Sequence, residues 1–393
     1  MKRIFPGLLF SFLFTFSCQK NYPVEKVEMK ISANPELLNN GKFLTMNLCG
    51  PCHYDHDSKS LSGKRMLDIP RVIGKVYASN ITNDSINGIK GYTPSELKFL
   101  LKTGIKKDGG FSPFMVKPNL ADIDIESIII FLKSEDPLVA SSGVKQEKTR
   151  YTLPGKIAVN HIFKPVEFSG KNILRPSKYD TVALGKYLVD VMGCYECHSS
   201  NFLKIDKINP ENSKGYLAGG NKVKGADGRL IRIPNLTFDK ETGIGMWSAL
   251  EFSRALKEGI TRKNKVLSYP MPLYPYLSNE ESEAIYKYLK SIPAVKNSIE
   301  RRKQETSARL NGSVVYERYS CSACHGKTGK GVADLTKAFD KYSDHDLVSF
   351  IRNPPPATGM PTFEGLIKEE EFPLLIEYIK ELGRKANSLE GIK

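Results

Sequence analysis

The sequence predicts a mainly α-helical chain built as three tandem units, the first two related by internal duplication. Three observations lead there. A five-residue motif, C-x-x-C-H, occurs as Cys49-Gly-Pro-Cys52-His53, Cys194-Tyr-Glu-Cys197-His198 and Cys321-Ser-Ala-Cys324-His325. Each copy follows a helix-like stretch that carries a glycine, and each unit closes on an amphipathic stretch that carries an aromatic. Finally, residues 79–105 align without a gap to 234–260, offset by 155.

The motif sets the chemistry. In C-x-x-C-H the two thiols add across the vinyl groups of a haem as thioethers, and the following imidazole becomes an axial ligand of the iron. A C-x-x-C alone also suits a redox disulfide or half of a zinc site, and Cys49-Gly-Pro-Cys52 echoes thioredoxin. Neither alternative asks for the histidine. Half of the six histidines in the chain directly follow the second cysteine of a motif. Three covalent c-type haems are therefore expected, held by Cys49, Cys52, Cys194, Cys197, Cys321 and Cys324, with His53, His198 and His325 on iron.

Composition bounds the rest. The 393 residues suffice for two to four domains, and 40% hydrophobic with 26% charged residues suits a globular protein. The apolar run from Ile4 to Ser17 follows Lys2 and Arg3 and is too short to span a bilayer, so 1–17 reads as a secretory signal. Export agrees with the haems. Cys18 closes that run like the cysteine of a bacterial lipobox, although Thr15 stands where a Leu is usual. Cys18 is read as lipidated and 18–34 as a polar tether, which places the chain on the periplasmic side of a membrane; the alternative is an ordinary signal with an incidental thiol. The formal charge of +15 falls with the signal and with the propionates of three haems. What remains suits acidic partners or plain surface solvation. Nothing in the sequence resembles a nucleic-acid-binding module.

The first unit, 35–140, opens on Gly41-Lys-Phe43-Leu44 and ends on Ile128 to Leu132 with Phe131. The second, 179–298, has Gly185-Lys-Tyr187-Leu188 and Ala284 to Leu289 with Tyr288. The third, 299–393, has Gly312 to Tyr316 and Leu374 to Ile379 with Tyr378. A glycine on one helix lets an aromatic of another approach closely, so each pair predicts a crossing of terminal helices. This arrangement resembles the class I cytochrome c fold three times over. The repeat pairs Asn80 with Asn235, Thr82 with Thr237, Asp84 with Asp239, Gly88 with Gly243, Glu96 with Glu251, Lys102 with Lys257 and Gly104 with Gly259, and sets Tyr92 opposite Trp247. Its first half is turn-like, and its second is a helix from a Ser/Thr cap to a closing glycine. Residues 141–178, rich in Ser, Lys, Pro and Gly, read as an extended linker over the first two units. His161 there is read as a surface or packing residue.

The sixth iron ligand decides what such haems do. Resemblance to class I cytochromes implies a methionine, commonly followed by proline, in a loop before the last helix; its thioether raises the potential. Met271-Pro272 and Met360-Pro361 fit. Met115-Val116 is placed correctly without the proline, and Met66 is its nearest rival. Packing in the core is the competing role for each.

The run Pro234 to Trp247, its following helix to Gly259, and Tyr269-Pro-Met271-Pro-Leu-Tyr274 resemble the triheme cytochrome c subunit of bacterial membrane-bound alcohol and gluconate (sugar) dehydrogenases; Tyr77-Ala-Ser-Asn-Ile-Thr82 fits the same family. The resemblance spans most of 35–300. It implies an electron-transfer subunit with no catalytic activity of its own. Its donor would be a dehydrogenase catalytic subunit bearing flavin or a quinone cofactor, and its acceptor membrane quinone or an oxidase. The alternatives are a multihaem enzyme such as a peroxidase with one open haem, a stand-alone electron carrier, and a docking adaptor.

Overall fold

The computed structural model describes residues 20–32, 34–225, 230–267, 269–299 and 310–390. Cys18 and the apolar run before it lie outside them. The described chain is mainly helical, with two small antiparallel ladders. Helix α1 (Pro35–Leu48) starts where Asn34 Oδ1 accepts the Glu36 N–H at 2.8 Å, with Pro35 in the first turn. It runs straight into the first motif. Helices α2 (Pro94–Thr103) and α3 (Asp122–Leu132) complete that region. Around the second motif lie α4 (Thr181–Met192), α5 (Ala249–Glu258) and α6 (Asn279–Ser291); around the third, α7 (Gly312–Arg318), α8 (Asp344–Arg352) and α9 (Phe372–Glu390).

The glycine and aromatic positions meet as three helix crossings. A methyl added at Gly41 would sit 1.9 Å from the Ser127 carbonyl oxygen and 3.0 Å from Phe131 Cβ. At Gly185 it would meet Ala284 O at 2.0 Å and Tyr288 Cβ at 2.8 Å, and at Gly312 Leu374 O at 2.2 Å and Tyr378 Cβ at 2.5 Å. Only hydrogen fits there. The backbones of α1 and α3, α4 and α6, and α7 and α9 therefore touch directly.

The two stretches offset by 155 fold alike and share their main turn and cap bonds. Asn80 Oδ1 accepts from the N–H and hydroxyl of Thr82 at 2.9 and 2.7 Å, and Asn235 Oδ1 from those of Thr237 at 2.8 Å each. Asp84 and Asp239 both close an Asx turn on the next backbone amides. Thr93 with Glu96 and Ser248 with Glu251 form capping boxes, and Gly104 and Gly259 end the helices at φ of 81° and 76°. The surroundings differ. His198 to Pro234 is ten residues longer than His53 to Ser79, and the extra chain carries a hairpin of β3 (Lys222–Lys224) and β4 (Leu230–Arg232).

The core is less modular than the motifs. One hydrophobic cluster runs from Leu44 through Ile129 and Leu188 to Leu289, so the first two motif regions share it, while the third has its own cluster from Val315 to Leu382. The 141–178 stretch departs from a plain extended linker. Its Arg150–Tyr151 (β2) pairs with Gly74–Lys75 (β1), and Thr152, with Pro154 in the first turn, then starts the short helix Leu153–Ile157. A π turn at Ala158–Ile162 follows and carries exposed His161. Further on, Arg175 reaches Asp124 of α3 at 2.9 Å and Glu281 of α6 at 2.8 Å, while Tyr187 of α4 donates to the same Asp124 at 2.6 Å. Asp124 is fully buried, so this is a closed network rather than a surface contact.

Candidate haem sites

Each motif is a single helical turn: Gly50–His53, Cys194–His198 and Cys321–His325. In a turn of this kind the two cysteines and the histidine are brought to one side. Gly193, in the left-handed region at φ 73°, breaks α4 immediately before Cys194. The six thiols are half-buried and none is in a disulfide. Burial pushes Cys49, Cys194, Cys197 and Cys321 up to about 12 and Cys52 up to about 11. A redox dithiol needs the opposite shift, so thiol–disulfide exchange fits these positions poorly.

The histidines share one further feature. His53 Nδ1 lies 2.7 Å from the carbonyl oxygen of Ser79, His198 Nδ1 2.8 Å from that of Pro234, and His325 Nδ1 3.2 Å from that of Ala333. A carbonyl can only accept, so Nδ1 carries the proton and Nε2 keeps its lone pair. Burial lowers all three imidazoles, His198 to about 4, and the carbonyl bonds only partly offset it. Each is thus a neutral, oriented ring with one donor atom to give, the state an iron ligand needs. Ser79 and Pro234 are themselves 155 residues apart, at the start of the repeated turn. Sequence reasoning did not identify these carbonyls, although the first residues of the repeat were a signal for two of them.

A cleft of about 2510 Å³ opens where the three motif regions meet. Cys194, Cys197, His198 and Met271 all line it, so the four residues predicted for the second haem face one space. Its other apolar walls include Trp247, Phe252, Leu256 and Leu289, which is the lining a haem plane requires. Cys52 and Met66 border the same cleft from the first region and Ala323 from the third. Met115, at the end of the 3₁₀ turn Pro113–Met115, packs with Cys49 against the shared core; Met360 packs with Cys321 against the third-region cluster.

The methionine loops are not in identical register. Ser112 and Leu267 donate to the carbonyls of Gly104 and Gly259, still 155 apart, and Lys117 and Tyr274 donate to Leu101 and Leu256. The second loop therefore holds two more residues. Met115 precedes its anchoring residue Lys117 by two positions, whereas Met271 precedes Tyr274 by three.

Charged groups that sequence reasoning missed sit at the junction of the first two regions. Glu196, between the cysteines of the second motif, is 3.3 Å from Lys117 Nζ and 3.1 Å from Lys207 Nζ. Burial alone would raise its carboxyl; the two ammonium groups outweigh that and hold it at about 2. Tyr269 donates to Asp68 Oδ1 at 2.6 Å and accepts from the Asp68 N–H at 3.0 Å. In the third region Arg318 and Tyr319 both bond to buried Glu371, which ties α7 to the start of α9.

Comparison with known proteins finds cytochromes as relatives. Residues 308–379 match the family described as cytochrome C oxidase, cbb3-type, subunit III, so a cytochrome c domain, with the covalent haem c this implies, is present around the third motif. The chain is 29% identical over 340 residues to the fructose dehydrogenase cytochrome subunit of Gluconobacter japonicus, covering 77% of this chain and 66% of that one. It is 26% identical over 388 residues to the cytochrome c subunit of the quinone alcohol dehydrogenase of Gluconobacter oxydans, covering 88% and 79%. With the gluconate 2-dehydrogenase cytochrome c subunit of Pantoea cypripedii it shares 22% over 390 residues, covering 88% and 86%. Its homologues are cytochrome subunits of sugar and alcohol dehydrogenases, the group that the Pro234–Trp247 run resembles.

Proposed function

We propose that the chain is a triheme c-type cytochrome that carries electrons from a dehydrogenase catalytic subunit, bearing flavin or a quinone cofactor, to membrane quinone or an oxidase. It comprises cytochrome c domains at 35–140, 179–298 and 299–393, the first two duplicates joined by 141–178, and it performs no chemistry of its own. It works exported, on the periplasmic side of a membrane, anchored through lipid on Cys18. The observation that carries this reading is the threefold recurrence of a buried imidazole with Nδ1 spent on a backbone carbonyl and Nε2 free for iron. Bound haem c supplies one-electron redox chemistry. The chain's part is to attach the ring, present His53, His198 and His325 on one face, and close the other with Met115, Met271 and Met360. With both ligand positions of each iron filled by the chain, none would be open to substrate.

Redox titration with optical detection tests this. Three low-spin haems, each one-electron and indifferent to carbon monoxide, are expected; a high-spin haem that binds it rapidly would make the protein a haem enzyme. One observation favours that second reading at a single place. The register slip leaves Met115 out of step with Met271, so an open iron, if there is one, is the first.

A further inference from the structure

We propose that the distal-ligand loops of the first two haem sites are braced crosswise, each held by the other site. The inference rests on the assignment of Met115 and Met271 as ligands. Lys117, two residues after Met115, reaches across to Glu196, which stands inside the second attachment motif, at 3.3 Å. Tyr269, two residues before Met271, reaches the other way to Asp68, in the loop that follows the first attachment motif, with bonds of 2.6 and 3.0 Å. The two braces are reciprocal although their chemistry differs: one is an ion pair, the other a phenol exchanging two bonds with a single aspartate.

These contacts are placed to matter. The side chains of Lys117 and Glu196 are only 19% and 25% exposed, and Lys207 bonds the second carboxylate oxygen, so the pair escapes most of the screening that makes surface ion pairs weak. A charged group left without its partner at such a place is costly, which keeps the loops seated. A methionine ligand belongs to a short loop. Its hold on iron competes with whatever freedom that loop has, so a brace two residues away biases the closed, six-coordinate state. Lys117, Glu196, Asp68 and Tyr269 are positioning residues on this account, and each brace acts on the haem whose loop it holds, not on the haem whose motif is nearest.

Ligand access to the ferric holoprotein, read with external imidazole and with the methionine–iron charge-transfer band, separates the cases. Glu196→Gln and Lys117→Met should both weaken the methionine bond of the first haem, raising its imidazole affinity about tenfold, the order a hydrogen bond to a charged partner confers. Tyr269→Phe and Asp68→Ala should do the same to the second haem and leave the first unchanged. Each brace has a variant on either side, so if one fails to retain three haems its partner decides. Met115→Ala and Met271→Ala identify the spectrum of each site. If those two open no haem, the ligand assignment fails and the brace with it. If they do, and the four brace variants alter neither haem or both equally, or Glu196→Gln opens only the second haem and Asp68→Ala only the first, the crosswise brace alone is overturned.

Discussion

Six residues are proposed as iron ligands, and that assignment has a direct consequence. Thioether sulfur favours ferrous iron relative to imidazole, so Met271→His should lower the potential of one haem and leave the other two nearly unchanged, as should Met360→His at the third site. Optical redox titration checks this; a shift spread over all three haems, or none, would remove those methionines from iron. The histidines were legible from spacing alone, because the motif fixes their position relative to the cysteines. Their carbonyl partners were not, since Ser79 and Pro234 lie 26 and 36 residues away and only the folded chain shows which oxygen faces Nδ1. Glu196 was visible as a charge between two cysteines, but Lys117 and Lys207 meet it from elsewhere in the chain, and no local pattern announces such a contact.

At the scale of elements, the three helix crossings depend on glycine for space. Gly185→Ala should gain up to about 1 kcal/mol in helix propensity. It would, however, press a methyl to 2.0 Å from a main-chain oxygen that no rotamer change can move. Overpacking of that kind costs about 1–3 kcal/mol, so a net loss of stability is expected, measured as a lower denaturant midpoint with haem bound. A variant as stable as the parent would mean that α4 and α6 shift apart freely. The glycines were readable because each stands eight or nine residues before its motif, and the aromatics because each lies in the amphipathic stretch that closes its unit. The repeated turn was readable as identities at one offset. The β3–β4 hairpin and the helix at Leu153–Ile157 escaped notice, because short polar segments rich in Lys and Gly carry no periodicity, and Thr152 with Pro154 is a weak start signal by itself.

Over the whole molecule, the motifs suggest three separate beads, whereas the packing joins the first two into one core and leaves the third a core of its own. Arg175 shows why sequence understated this: it lies in a stretch that reads as a linker, yet it binds carboxylates from α3 and α6. Anchoring is a separate matter at this scale. Cys18→Ser should release the protein from membranes into the soluble fraction; unchanged partitioning would mean that a partner, or nothing, holds it there.

All three motifs, and not only the one within 308–379, are expected to carry haem. Mass spectrometry of the intact mature protein, denatured so that only covalent groups remain, measures this most directly. Three haem adducts on every chain are predicted, falling to two when both cysteines of any one motif are replaced by alanine. A fully matured protein with two haems or fewer would contradict the account.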